Sequence, residues 1–312
     1  MDDLIIGDNQ QHNLSPGMHK FATLQLGTNS SIKFSATVSI LVKKLIAPSG
    51  CKVEYISPTG LSPVDTLFTL HVIDASGVSD LTFLGDGYSP EGFLPGDRGP
   101  DGSAGSNAGG SSWTYPGGSN STGGGNAPSP AATGPSGQNA ASFSVYLPFL
   151  NPGSKLNFSA IGGNGGRGQD GGNGGRGGNG NTLKGPSGGG DAADGGTGGN
   201  GGNAGKVSIF LVVPADKPID ESSVIKSVSI NCDVAGGNPG SGGEPGLNGA
   251  GGDTNYGPTM PPGDVGNKGS RGREGIPGND ARTAPDANWV DIDVMDFETY
   301  KAYIGQIVAQ YE

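Results

Sequence analysis

Apolar and polar residues alternate over short windows through the first 84 residues: FATLQL (21–26), SIKFSATVSILV (31–42), KVEYI (52–56) and TLFTLHVI (66–73). A period of two marks half-buried strands, and SPG, GTN, APSG and SPTG supply turns between them, so residues 1–84 read as a β-rich unit. Further on, apolar residues gather only in short pieces such as FSVYLPFL (143–150) and VSIFLVV (207–213). NSSIKFSA (29–36), GVSDLTFLG (77–85) and GSKLNFSAIGG (153–163) share a weak repeat, in which Gly or Asn precedes a polar stretch and an apolar-x-Phe strand; VSINCDVAGG (228–237) is a looser copy. At the C-terminus WVDIDV (289–294) alternates as a strand. Asp296 then caps a helix whose apolar positions Phe297, Tyr300, Ile304, Ile307, Val308 and Tyr311 recur at helical spacing, an amphipathic surface suited to assembly.

The segments between the later strands change this picture. Glycine stands at every third position through Gly162, Gly165, Gly168, Gly171, Gly174, Gly177 and Gly180, in GGNGGRGQDGGNGGRGGNG. Similar runs follow LTFLG (Gly96 to Gly105) and VSINCDVAGG (Gly237 to Gly252), and each gives way to a second glycine-rich stretch near 117–140, 185–205 and 263–278. The unit "out along a triplet run, back along another, then a strand" repeats three times. Polyproline II geometry has three residues per turn, so this spacing draws a bare stripe along one side where a neighbouring backbone can approach. Collagen trimers and plain linkers are competing readings of PGDRGPDG, GEPGLNG and the doubled glycines.

The expected fold class is therefore mainly irregular/β: an N-terminal β region, then an intramolecular bundle of about six polyglycine-II helices in antiparallel pairs with interleaved short β-strands, and one C-terminal α-helix. The domains expected are 1–84, a β-rich attachment region; 85–280, the glycine-rich bundle; and 281–312, a strand plus the amphipathic helix. Doubled glycines make 162–180 and 195–205 central and the runs 96–105, 237–252 and 263–278 peripheral.

Composition narrows the chemistry. With 63 glycines, 23 prolines and 32% hydrophobic residues, a conventional core forms only where the apolar segments cluster. A net charge of -11 repels phosphate backbones, so nucleic-acid binding is not expected. No stretch is long enough for a membrane span, and MDDLIIGDNQ lacks the basic start of a secretory signal, so membrane insertion is not expected either. The Gly163 to Gly168 match to a dinucleotide-binding pattern arises from the triplet period and has no strand–helix context. His12, His19 and His71 are scattered, and Asp291, Asp293 and Asp296 read as an alternating strand with a helix cap rather than a calcium site. No enzyme, cofactor or metal is expected. Cys51 and Cys232 leave open one bridge or two thiols.

If the runs go out and back, the joining segments 106–116, 181–194 and 253–262 meet at an apex that gathers Trp113, Tyr115, Leu183, Lys184, Tyr256 and Met260. Aromatics there suit stacking on sugar rings or packing on another protein's loops. The GGN and GGR triplets and aromatic tip segments over residues 85–280 resemble the distal tail-fibre adhesins of T-even-like bacteriophages, in pattern rather than in alignable sequence. That resemblance implies a receptor-binding protein of the virion or cell surface, made in the cytoplasm, whose tip loops contact a cell-surface glycan or membrane-protein receptor. Its β region or helix would join a larger assembly or further copies of the chain. The alternative is a structural subunit that self-assembles into an extracellular filament or coat. The glycine-rich antifreeze proteins of snow fleas are also similar, but the Asn, Arg, Gln and Asp between the glycines do not make the flat face of small residues that ice binding needs.

Overall fold

The computed structural model describes residues 1–57, 59, 65–109, 120–181, 184–214, 220–253 and 289–310. Among them, seven strands form one sheet in the order β1 (Asp2–Ile6), β3 (Gly17–Leu26), β5 (Val38–Ala47), β7 (Leu67–Val78), β9 (Ser142–Pro148), β11 (Val207–Val213) and β13 (Val290–Asp296). Six form a second sheet: β12 (Ser229–Ala235), β10 (Lys155–Ile161), β8 (Asp80–Leu84), β6 (Cys51–Tyr55), β4 (Ser31–Phe34) and β2 (Gln11–Asn13). Every neighbouring pair is parallel. Parallel neighbours need a crossover, and here the strand of the opposite sheet supplies it, so the chain winds as a stack of two-strand turns.

Burial follows from the period of two. Ile40, Leu70, Val145 and Ile209 form one inward row of the larger sheet, and Ile32, Val53, Phe83 and Phe158 one row of the smaller. Between the sheets Phe34, Phe68, Phe83, Phe143 and Phe158 pack together; the rings of Phe83 and Phe158 are parallel at 4.6 Å. Such pairs add about 0.5–1.5 kcal/mol each beyond area burial.

This frame overturns the expected fold class. The molecule is two parallel sheets of seven and six strands, with two helices among the described residues, and not a mainly irregular bundle of polyglycine-II helices with strands interleaved. The strands at 142–148, 155–161, 207–213, 229–235 and 290–296 share the sheets and core of those before residue 85. Alternation reports that a strand is half-buried but not which strand it pairs with, which is why the sheets escaped the sequence. The second helix, α1 (Glu221–Ser227), is N-capped by Asp220 and lays Val224 and Ile225 against the core. The C-terminal helix, α2 (Phe297–Gln310), starts as expected: Thr299 donates its backbone N–H (2.9 Å) and its hydroxyl (2.6 Å) to Asp296.

Candidate functional site

All three glycine-rich excursions leave from consecutive strands of the six-stranded sheet, β8, β10 and β12, and re-enter at β9, β11 and β13 of the other. Strand register carries straight into them. Ile161 faces Ala235 in the sheet, and beyond it Gly162, Gly165, Gly168, Gly171, Gly174, Gly177 and Gly180 donate N–H bonds to the carbonyls of Ala235, Asn238, Ser241, Glu244, Leu247, Ala250 and Asp253. The second glycine column of this run turns elsewhere: Gly163 and Gly166 donate to Gln138 and Pro135, and Gly175 and Gly178 to Gly125 and Thr122. The return segment 187–205 runs antiparallel to it, with Gly202, Gly199, Gly196 and Gly190 donating to Gly163, Gly166, Gln169 and Gly175. Segment 162–180 is thus bonded to four neighbours: both arms of the first excursion, its own return and the third outgoing arm.

Glycine is required where backbones meet this closely. A Cβ on Gly174 would lie 1.9 Å from the Gly190 carbonyl oxygen, and one on Gly171 2.2 Å from that of Ala193. The remaining column carries short acceptors instead. Asn164, Asp170, Asn173 and Asn179 accept the N–H groups of Asn238, Glu244, Leu247 and Asp253 at 2.8–3.0 Å. Asp101 and Asn107 of the first arm do the same for Asn173 and Asn179. These side chains satisfy the backbone donors that the glycine columns leave over.

One position absorbs a register change. The first arm pairs with the second from Gly85→Ser159 to Phe93→Arg167, then resumes three residues out of step at Gly99→Asp170 and continues to Ala108→Asn179. The extra triplet is taken up in a turn at Leu94–Asp97 with Gly96 at φ +93°. Asp170, 9% exposed, holds it: its carboxylate accepts the N–H groups of Gly96 and Glu244 and pairs with Arg167. Burial pushes this carboxyl up, but the two N–H groups and the guanidinium outweigh it and hold it below the ordinary range.

At the far end Gly180 bonds Asp253 and Ala108 bonds Asn179, so the described ends of all three excursions stand at one level. Lys184, in the tight turn of the second excursion, donates Nζ to Asn120 Oδ1 at 2.7 Å and its N–H to Asn181 Oδ1. Ser121 bridges to Ser187 Oγ at 2.7 Å, and Arg176 pairs with Asp253. Of the expected apex residues only Lys184 is described; Trp113, Tyr115, Leu183, Tyr256 and Met260 lie outside the described residues, as does run 263–278.

Part of the expected helix surface packs inside the chain. Tyr300 and Ile304 are buried against Leu41, Tyr146 and Val212 of the seven-stranded sheet, Phe297 packs on Phe149 at 4.9 Å, and Ile307 is half-buried. The side chain of Val308 and all of Tyr311 lie outside the described residues. Cys51 and Cys232 are free thiols rather than a disulfide, Cys51 donating to Gly27 O at 3.3 Å, and both are pushed up to about 11 by burial. Sequence reasoning missed the Asp170 staple and the acceptor column; the recurrence of Asn and Asp at the third position of four of the six triplets, Asn164, Asp170, Asn173 and Asn179, was the available signal. No described helix is long and apolar enough to cross a membrane. Compared with known protein families, curated proteins and solved structures, the chain matches none.

Proposed function

We propose that the protein is a non-enzymatic recognition protein, held in a larger assembly by its strand stack and contacting a cell-surface glycan or membrane-protein receptor through the far ends of its glycine-rich excursions. The observation that carries this reading is the convergence of three excursions, distant in sequence, at one level of a backbone-bonded lattice. Loops mounted on a rigid base lose little freedom on binding, which favours affinity. The segments that continue from these ends hold Trp113, Tyr115 and Tyr256, residue types that dominate binding hot spots. A virion setting, at the tip of a phage tail fibre, accords with this design and belongs to the proposal.

A self-assembling filament fits less well. End-to-end stacking would bring the β1 edge with Asp2 and Asp3 alongside β13 with Asp291 and Asp293, a like-charge contact, and Tyr300 and Ile304 of α2 are already buried within the chain. Ice binding fits less well again, because the exposed column of the third arm mixes Asn238, Ser241, Glu244, Leu247 and Asp253. The test is the double substitution Trp113→Ala with Tyr256→Ala. Loss of cell binding with unchanged thermal unfolding is expected; full binding by the folded variant would sink the reading. Electron microscopy of the purified protein should show discrete particles, and polymers would favour the filament.

A further inference from the structure

His71 lies on the outward face of β7, beneath α2, and is 3% exposed. Its Nδ1 has no hydrogen-bond partner among the described residues. The ring stacks on Tyr146 at 4.6 Å and meets the edge of Tyr303 at 5.8 Å, while Tyr300 caps the same aromatic cluster and donates its hydroxyl to Val72 O at 2.7 Å. The imidazole is therefore enclosed by rings and aliphatic groups, and its burial disfavours the charged form. We infer that α2 is an acid-released cover: protonation of His71 drives the helix off the seven-stranded sheet while the strand stack stays folded.

Among the described residues, no acidic side chain lies beside this ring to compensate a charge on it. On the same outward row stand Leu41 of β5, Tyr146 of β9 and Phe210 of β11; Lys20 of β3 and Asp293 of β13 close the row's two ends, with intervening strands between each and His71. From α2 come Tyr300 and Tyr303, while Glu298 and Lys301 face solvent and pair with each other. Asp74, further along β7, is engaged with Ser76. Burial of Tyr300 and Tyr146 pushes their hydroxyls up, so neither ionises in acid.

The direction of the pH effect follows. Burial lowers His71 from 6.5 to about 4. With α2 lifted the ring meets water and returns towards its ordinary value, so the open form binds the proton more tightly. Docking is at full strength above about pH 6.5, weakens about tenfold per unit as the pH falls, and levels off near pH 4. The Asp296 cap, whose carboxyl is held down by the Thr299 hydroxyl and N–H, weakens α2 only at lower pH.

The test measures amide hydrogen exchange, corrected for intrinsic rate, in peptides spanning 297–310 and 207–213 at pH 7 and pH 4.5. In the wild type the opening of α2 should rise about 60-fold, with β11 unchanged, and in His71→Phe it should not rise. A second variant, His71→Leu, guards against a phenylalanine that fits poorly. Equal responses in wild type and both variants, simultaneous loss of protection in β11, or an NMR titration placing His71 above pH 6 in the native protein would each overturn the inference.

Discussion

Replacing Gly174 by alanine tests whether glycine is there to admit a neighbouring backbone. The new Cβ would lie 1.9 Å from the Gly190 carbonyl oxygen, so the two segments must separate by about 1.5 Å to reach van der Waals contact. That oxygen accepts the Gly249 N–H at 3.0 Å, and Gly190 itself donates to Gly175 at 2.8 Å; both bonds break when Gly190 moves. Leaving such groups unsatisfied costs about 1–3 kcal/mol each. The smaller freedom of alanine in the unfolded chain returns only about 0.4–1 kcal/mol. The net loss is roughly 1–5 kcal/mol, a fall in Tm of about 2–20 °C by calorimetry. Gly123→Ala is the internal control, because the nearest atom to its added Cβ is the Gly188 oxygen at 3.6 Å; its expected change is within about 0.5 kcal/mol. Equal, small shifts for both substitutions would refute the close-approach argument.

Other consequences are open to test. Asp170→Ala leaves Arg167 unpaired and the Gly96 and Glu244 N–H groups without acceptors, and should cost about 3 kcal/mol in the same calorimetric assay. Since that carboxyl is held below its ordinary value, its contribution is present at neutral pH and disappears as pH falls through the folded value; the wild-type and Asp170→Ala stabilities should converge in strong acid. Asn173→Ala removes one acceptor, that of the Leu247 N–H, and should cost about 1 kcal/mol, with no change in the strand core by circular dichroism. Cys51 and Cys232, pushed up to about 11, should react with iodoacetamide at pH 8 far more slowly in the native protein than in urea; equal rates would contradict their burial.

Much of the secondary structure was written in the chain. KVEYI became β6, VSIFLVV became β11 and WVDIDV became β13, because alternation reflects burial on one face. The weak repeat carried more than it first implied: its four copies are β4, β8, β10 and β12, all in the six-stranded sheet, and it places Phe83 and Phe158 in one row. Pairing was not legible. SIKFSATVSILV reads as one alternating window, yet the chain crosses from one sheet to the other between Phe34 and Val38, and only long-range contacts record that. β1 escaped because DDLII is too short and acidic to alternate clearly, and α1 because its roughly two turns rest on Val224 and Ile225 packing rather than on a long apolar stripe. In the excursions the glycine columns announced close approach, but the direction of each column and the slip at Asp170 depend on neighbours distant in sequence.

The central claim is that the glycine-rich excursions continue the strand register as a backbone-bonded lattice. Scalar couplings across hydrogen bonds in the deuterated, isotope-labelled protein test it bond by bond. The account predicts correlations from the Gly165, Gly171 and Gly174 amide nitrogens to the carbonyl carbons of Asn238, Glu244 and Leu247. Fast-exchanging glycine amides with random-coil shifts and none of these correlations would contradict it.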